Sequence, residues 1–390
     1  MFPCALNGAA RFWMKHCTSP RAFSTPRSRF VLGIETSCDE TGAAVLDETG
    51  VIRGESLHSQ KKTHLDTGGI IPTVAQRLHR ENISRVVQEA LDRSGIEPSE
   101  LTAVATTVKP GLALSLGVGL DFSLKFVRLH EKPFIPIHHM EAHALTVKML
   151  HPVDFPFLVL LVSGGHSLLA LAKGIDEFLL LGQTLDVAAG DTLDKIARRL
   201  SLRNHPECST LSGGQAIELL AKEGDRLAFH FKAPMGQLYD CNFSFAGLRN
   251  QVTMAINKKE REEGVEKGHL LSCVKDIAAA SQHTVASPHS RTWLWHFIFK
   301  LTRNEYIRQT LKIVTDATGL HLLCPPTKFC TDNGVMIAWN GIERLKQRKG
   351  IMSYTEEVNY EPKAPLGLDI TSEVKDATIK LPPLKLRINS

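Results

Sequence analysis

Two α/β lobes with a ligand cleft between them are the architecture that this sequence predicts. The chain runs twice through one plan: an apolar strand, a glycine-bearing turn, a second strand, then helices. The first pass starts at Phe30 and the second at Phe157. With 390 residues, 43% apolar and 22% charged, the composition is globular and long enough for two or three packing units.

In the first pass, FVLGIE (30–35), AAVLD (43–47) and VIRGESL (51–57) read as an antiparallel meander, with TSCDETG (36–42) as a turn. A helical pattern covers 72–95, opened by Pro72 and stopped by Gly95. LTAVATT (101–107) is a strand, 111–130 an apolar helix rich in small residues, and FIPI (134–137) a short strand. In the second pass, FLVLLVSGGHSLLALA (157–172) is a hairpin tipped by SGGH. Helices are expected at 188–202, 212–224, 269–286, 305–319 and 334–347, with a strand at 320–325. The charged stretch 256–268 reads as an exposed loop or solvated helix, and the Pro-rich tail after Gly350 as poorly ordered. The expected division is a leader at 1–29, an N-terminal lobe at 30–150, a C-terminal lobe at 151–347 and a tail at 348–390.

Charge is unevenly placed. Residues 1–29 hold Arg11, Lys15, Arg21, Arg27 and Arg29 and no acid, the signature of a mitochondrial transit peptide, which implies the matrix. Those five cations equal the formal excess of +5, so the rest of the chain is near neutral and any nucleic-acid surface must be local. The candidates are Lys195, Arg198, Arg199 and Arg203, and the cluster Arg344, Lys346, Arg348 and Lys349; a solvated helix face explains each equally well. No run of about 18 apolar residues occurs, so no membrane span is expected. The eight cysteines form no CxxC and suggest a reducing compartment.

Six short motifs could carry chemistry. In HHMEAHA, His139 and His143 lie four apart and share a helix face, which suits two metal ligands or a histidine-rich surface. Asp39 and Glu40 at a turn could hold metal or water, accept a proton, or merely face solvent. The N–H groups of Gly164 and Gly165 in LVSGGHS could approach a phosphate, or the pair could be a plain hairpin turn. Asp191 and Asp194 open a helix. Gly214 would leave room for a ligand ring, with Glu218 in reach of its hydroxyls. Asp332 in CTDNG is a natural N-cap that could also ligate metal.

The motifs GIETSCDETGAAV, HHMEAHA, LVSGGHS, GDTLDK, NFSFAGLRN and CTDNGVMIAWNG occur in an order that closely resembles the tRNA threonylcarbamoyladenosine transferases, formerly labelled O-sialoglycoprotein endopeptidases. With the leader, the chain looks like a mitochondrial member; the likeness spans about 30–286 and 304–347. It implies a two-lobed actin/hexokinase-like (ASKHA) fold. It implies transfer of a threonylcarbamoyl group from threonylcarbamoyl-AMP to the exocyclic amine of the adenosine 3′ to the anticodon, in mitochondrial tRNAs reading codons that start with A. The family's metal ligands fall on His139, His143 and Asp332, for one divalent ion per subunit (Fe, Zn, Mn or Mg), in a monomer or homodimer. Its nucleotide loop falls on Leu161, Val162, Ser163, Gly164 and Gly165, its ribose and adenine contacts on Asp194, Gly214 and Glu218, and its acid on Glu40 beside Asp39. The sequence departs from the family at 287–303, where a second glycine loop is replaced by a segment bearing Trp293, Trp295 and His296, while Asn304 is retained as a substrate contact. That loss is expected to weaken adenylate binding and reduce activity. A small-molecule kinase of the same superfold and a non-enzymatic nucleotide-binding protein are the alternatives.

Overall fold

The computed structural model describes residues 28–232, 240–286, 298–301 (backbone alone) and 303–377. The leader up to residue 27, the segment 287–297 and the end of the tail lie outside the described residues.

β1 (Phe30–Glu35) is apolar and buried from its second residue onward, as a central strand requires. It pairs antiparallel with β2 (Glu40–Asp47), which pairs antiparallel with β3 (Ile52–Ser59). A short helix α1 (Lys61–Asp66) and the long α2 (Pro72–Ser94) lead to β4 (Ala103–Lys109), parallel to β1. Gly95 ends α2 in the left-handed conformation, as expected of a helix-stop glycine. α3 (Ala113–His130) then leads to β5 (Phe134–His138) and α4 (His139–Leu150).

The second sheet repeats this plan. β6 (Phe157–Val162) pairs antiparallel with β7 (Ser167–Ala172), and β7 with β8 (Phe178–Gln183). Four helices follow: α5 (Ala189–Arg199), α6 (Gly213–Ala221), α7 (Ala246–Glu263) and α8 (Val274–Ala286). β9 (Ile298–Leu301) returns parallel to β6, then come α9 (Glu305–Thr318), β10 (Leu322–Leu323) and α10 (Gly334–Gln347). The sheet orders are β3-β2-β1-β4-β5 and β10-β9-β6-β7-β8, the second extended past β8 by β11 (Leu368–Asp369) ahead of α11 (Thr371–Asp376). One topology used twice is the duplicated α/β architecture expected of the actin/hexokinase-like class.

Several expectations change. β8 was not foreseen, because FLLLGQ is too short to show a period. The charged stretch at 256–268 takes its solvated-helix reading up to Glu263, where α7 ends, Ile256 being its buried member in line with Leu248 and Val252. The tail is ordered to residue 377. Met352 pairs with Phe134, Glu361 N donates to Val108 O at 2.9 Å, and β11 joins β8. A strand exists at 298–301 despite the altered sequence before it.

α4 and α10 lie where the two sheets meet. One apolar cluster joins Val31, Ile135, Leu145, Phe157, Val159 and Met336, drawing on both sheets and both helices. α10 presses onto β1 and β2 so closely that a Cβ at Gly334 would stand 2.4 Å from Ala43 C, and one at Gly33 2.2 Å from Ala338 N. Gly334→Ala is therefore expected to cost about 3 kcal/mol or more, read as a large fall in thermal midpoint; an unchanged midpoint would contradict this packing.

Candidate active site

His139 and His143 share a face of α4, and both are buried. Asp332 reaches them from the loop before α10. It is not the N-cap: Asn333 takes that role, its Oδ1 accepting from Met336 N at 2.9 Å, which leaves the Asp332 carboxylate free to turn inward. Asp332 Oδ1 lies 3.0 Å from His143 Nε2 and 3.4 Å from His139 Nε2, and the two Nε2 atoms are 3.2 Å apart. Such donor–donor separations match the edges of a coordination shell with bonds of about 2.0–2.1 Å. Two imidazole nitrogens aimed at one another cannot both carry hydrogen, and His143 Nδ1 is buried without a partner. This donor set, two imidazoles and one carboxylate, fits a divalent ion and leaves coordination positions open.

His138 stands apart from the pair, since it ends β5 with an extended backbone just before α4. Its Nδ1 accepts from Met140 N at 3.2 Å as the cap of α4, so its Nε2 donates to Pro365 O at 3.2 Å.

Glu35 is the residue that sequence reasoning missed. Fully buried at the end of β1, it places Oε2 3.2 Å from His139 Nδ1. Ser37 N donates to its Oε1 and Thr107 Oγ1 to its Oε2, each at 2.5 Å. Burial alone would raise its pKa, but the neighbouring His139 holds it below the usual carboxylate range. Glu35 thus fixes the His139 ring with Nε2 toward Asp332. The available signal was an acid closing an otherwise apolar strand. Glu35→Ala is expected to weaken metal binding roughly 10–100-fold; a titration with Co²⁺ showing unchanged affinity would contradict this role. Burial lowers the pKa of His139, yet Asp332 and Glu35 outweigh it and raise it to about 9 in the metal-free protein. His143 moves down, through burial and then the charge of His139. His166, from the SGGH turn, falls to about 4, through burial and then repulsion by His139 and His143, and so is neutral.

Asp39 and Glu40 sit at the start of β2. Glu40 Oε1 accepts from Ser59 Oγ at 2.9 Å, and its Oε2 is buried without a partner. Burial first, then the charge of Asp39, raises Glu40 to about 8. Burial, then Asp332, raises Asp39. A carboxylate poised near neutrality suits proton transfer.

The SGGH turn lies against the start of α5. Gly190 N donates to Ser163 O at 3.2 Å, whereas Gly164 and Gly165 have open space where a Cβ would stand. Leu161 and Val162 end β6 beneath them. Asp194 and Gly214 meet, Gly214 N donating to Asp194 Oδ1 at 2.7 Å. Glu218 Oε1 accepts from Glu305 N at 2.6 Å, which sets it beside Asn304. Asn304 caps α9 through Ile307 N at 2.9 Å and donates to Gln282 Oε1 at 3.0 Å, so its side chain holds the helix start.

The sequence model of the family TsaD, tRNA N6-adenosine threonylcarbamoyltransferase, matches residues 51–339. The chain belongs to that family. It is therefore a transferase, and neither a kinase nor a non-enzymatic binding protein is favoured. A tRNA N6-adenosine threonylcarbamoyltransferase of Danio rerio, named mitochondrial, is 78% identical over 409 aligned positions covering all of both chains. That length exceeds the 390 residues here, so the relative carries residues this chain lacks. The Homo sapiens protein of the same name is 57% identical over 92% of this chain and 91% of its own. Among solved structures, component A of (R)-2-hydroxyglutaryl-CoA dehydratase from Acidaminococcus fermentans aligns with TM-score 0.49 and 13% identity, over 82% of this chain and 100% of that one. No helix of the described residues is long and apolar enough to cross a membrane.

Proposed function

We propose that this transferase moves a threonylcarbamoyl group from threonylcarbamoyl-AMP to the exocyclic amine of the adenosine 3′ to the anticodon, in tRNAs of the mitochondrial matrix that read codons starting with A. The observation that carries the reading is the His139–His143–Asp332 trio, its two histidines buried and its carboxylate half-buried, with the raised carboxyl of Glu40 nearby in a family-matched chain.

A divalent ion bound by the trio would supply Lewis-acid stabilisation of charge on the carbonyl and phosphate oxygens. The chain's own residues do the rest. The Ser163–Gly165 turn, on the strand end formed by Leu161 and Val162, offers N–H groups to the phosphate. Asp194, Gly214 and Glu218 receive the ribose and adenine of the donor, and Asn304 holds the α9 start against Glu218. The acceptor amine adds to the carbamoyl carbon, the bond from that carbon to the phosphate oxygen breaks, and AMP leaves. Glu40, assisted by Asp39, accepts the amine proton. Without the second glycine loop near 287–303, turnover slower than that of the relatives is expected.

Nucleoside analysis of mitochondrial tRNA from cells carrying only this chain tests the reading. Threonylcarbamoyladenosine is expected, and its complete absence in cells that contain the folded protein would refute the activity.

A further inference from the structure

His64, on α1, is a buried titratable group that the transfer steps leave without a role. It is 6% exposed, and its Nδ1 is enclosed with no hydrogen-bond partner. The ring lies on the wall of a cavity of about 370 Å³ between α1, the loop after it and the α5–α6 region. Asp194 and the residues before Gly214 line the same cavity, so His64 faces into the substrate site. A buried polar atom left unpaired costs stability, and its persistence inside a substrate site points to a task in the chemistry.

The neighbours fix the tautomer. Gln60 Nε2 donates to Ala75 O at 3.2 Å, so the Gln60 amide oxygen is the atom turned toward His64. His64 Nε2 lies 2.9 Å from that oxygen, which can only accept. Nε2 therefore carries the hydrogen, and Nδ1 keeps a free lone pair. Burial lowers the pKa of the ring, so the lone pair is available at neutral pH.

Asp39 is the group that this lone pair can serve. Gln60 N donates to Asp39 O at 3.0 Å, which ties the start of α1 to the Asp39 backbone, and both side chains line the cavity. The other charged groups there are engaged. Lys61 Nζ donates to Gln215 Oε1 at 2.6 Å, Asp194 Oδ1 accepts from Gly214 N at 2.7 Å, Arg198 faces Asp194, and Arg203 bonds Asp66. His79, on α2, also faces the ring; it is held neutral between Thr41 Oγ1 at 2.7 Å and Cys38 O at 3.0 Å. Burial, then Asp332, raises Asp39, while burial lowers His64. The two proton affinities thus approach one another, and transfer between them is close to balanced.

We propose that His64 is the second proton carrier of the transfer reaction: its Nδ1 takes the proton from Asp39 and gives it to water in the cavity. This rests on the transferase reading, and His64 acts through Asp39 without touching the substrate. The amine N–H bond breaks as an O–H bond forms on the Glu40–Asp39 pair. That O–H breaks as Nδ1–H forms, and Nδ1–H is lost to water once AMP has left. One proton reaches solvent per group transferred.

Two measurements test this. The first is steady-state transfer by the intact chain, His64→Gln and His64→Ala. Glutamine reaches the Nε2 position and keeps the bond to Gln60, but it has no basic nitrogen. In both variants kcat is expected to fall about 10²-fold with KM for either substrate little changed. Imidazole should raise the rate of His64→Ala about tenfold and leave His64→Gln and the intact chain unmoved. A His64→Gln kcat within about twofold of the intact chain, or no gain from imidazole in His64→Ala, would overturn the relay. The second measurement needs no turnover: ¹⁵N NMR of the histidine-labelled chain, with His64 identified by its loss in His64→Gln. Nδ1 should be the unprotonated nitrogen, and the His64 titration should move down by at least about half a pH unit in Asp39→Asn, which removes the anion beside it. A titration indifferent to Asp39 would overturn the relay. A chain that modifies tRNA while His64→Gln turns over normally refutes the relay and leaves the activity standing. A chain whose His64 follows Asp39 but which never forms the modified nucleoside sustains the proton pair and refutes the activity.

Discussion

Asp332→Ala will leave a folded protein that no longer retains a divalent ion. Asp332 supplies the one anionic donor, and it closes the trio from a loop 189 residues away from His143. Without it, two imidazoles only 3.2 Å apart face each other with no charge to offset the ion. The loss of affinity should exceed the roughly 10–100-fold that a supporting residue costs, and transfer should fall with it. Elemental analysis of the purified variant, with circular dichroism as a control, reads this directly. His143→Ala should behave alike. Metal retained at one equivalent in either variant would place the ion elsewhere.

Glu40→Gln separates proton transfer from binding. The amide keeps the shape and the Ser59 contact but cannot take a proton. kcat should drop by about 10²–10⁴-fold with little change in KM for either substrate. The intact enzyme should also gain activity as pH rises toward about 8, because only ionised Glu40 can act as base, and the variant should lose that limb. Stability moves the other way. The folded-state pKa is raised from 4.5 to about 8, so the folded protein holds this proton more tightly than the unfolded chain. The stability this contributes is complete below about pH 4.5 and is lost as pH climbs through about 8. In metal-free protein at pH 9 the glutamine variant should be the more stable by about 2 kcal/mol, solvent screening trimming what the shift implies; near pH 4 the two should coincide. A wild type that outlasts the variant at pH 9 would show that Glu40 is not held neutral.

How much of this could be read from residues alone depended on the range of the interaction. His139 and His143 were legible because four-residue spacing on a helix is local geometry. Asp332 on its own read first as an N-cap and second as a possible metal ligand, and the structure gives the cap to Asn333; α10 is seated on β1 and β2 through Gly33 and Gly334. Glu35 escaped notice because a charged residue at a strand end usually marks the strand's exit to water, whereas here β4 and α4 bury it completely. β8 was too short to show a period, whereas β11 and the ordered tail follow from pairing partners far away in the chain, which no local pattern encodes. Asn304, expected at the substrate, also caps α9, and the next residue's N–H donates to Glu218, another expected contact.

The central claim is that the His139–His143–Asp332 centre transfers a threonylcarbamoyl group to tRNA. The most direct test measures, in one reaction, AMP released and threonylcarbamoyladenosine formed by the purified chain given threonylcarbamoyl-AMP and mitochondrial tRNA, as a divalent ion is titrated into chelator-stripped protein. The expected result is one AMP per modified nucleoside, slow turnover, and product rising with metal up to one equivalent per chain. Product formed equally well by the stripped protein, or AMP released with no modified nucleoside at any metal level, would contradict it.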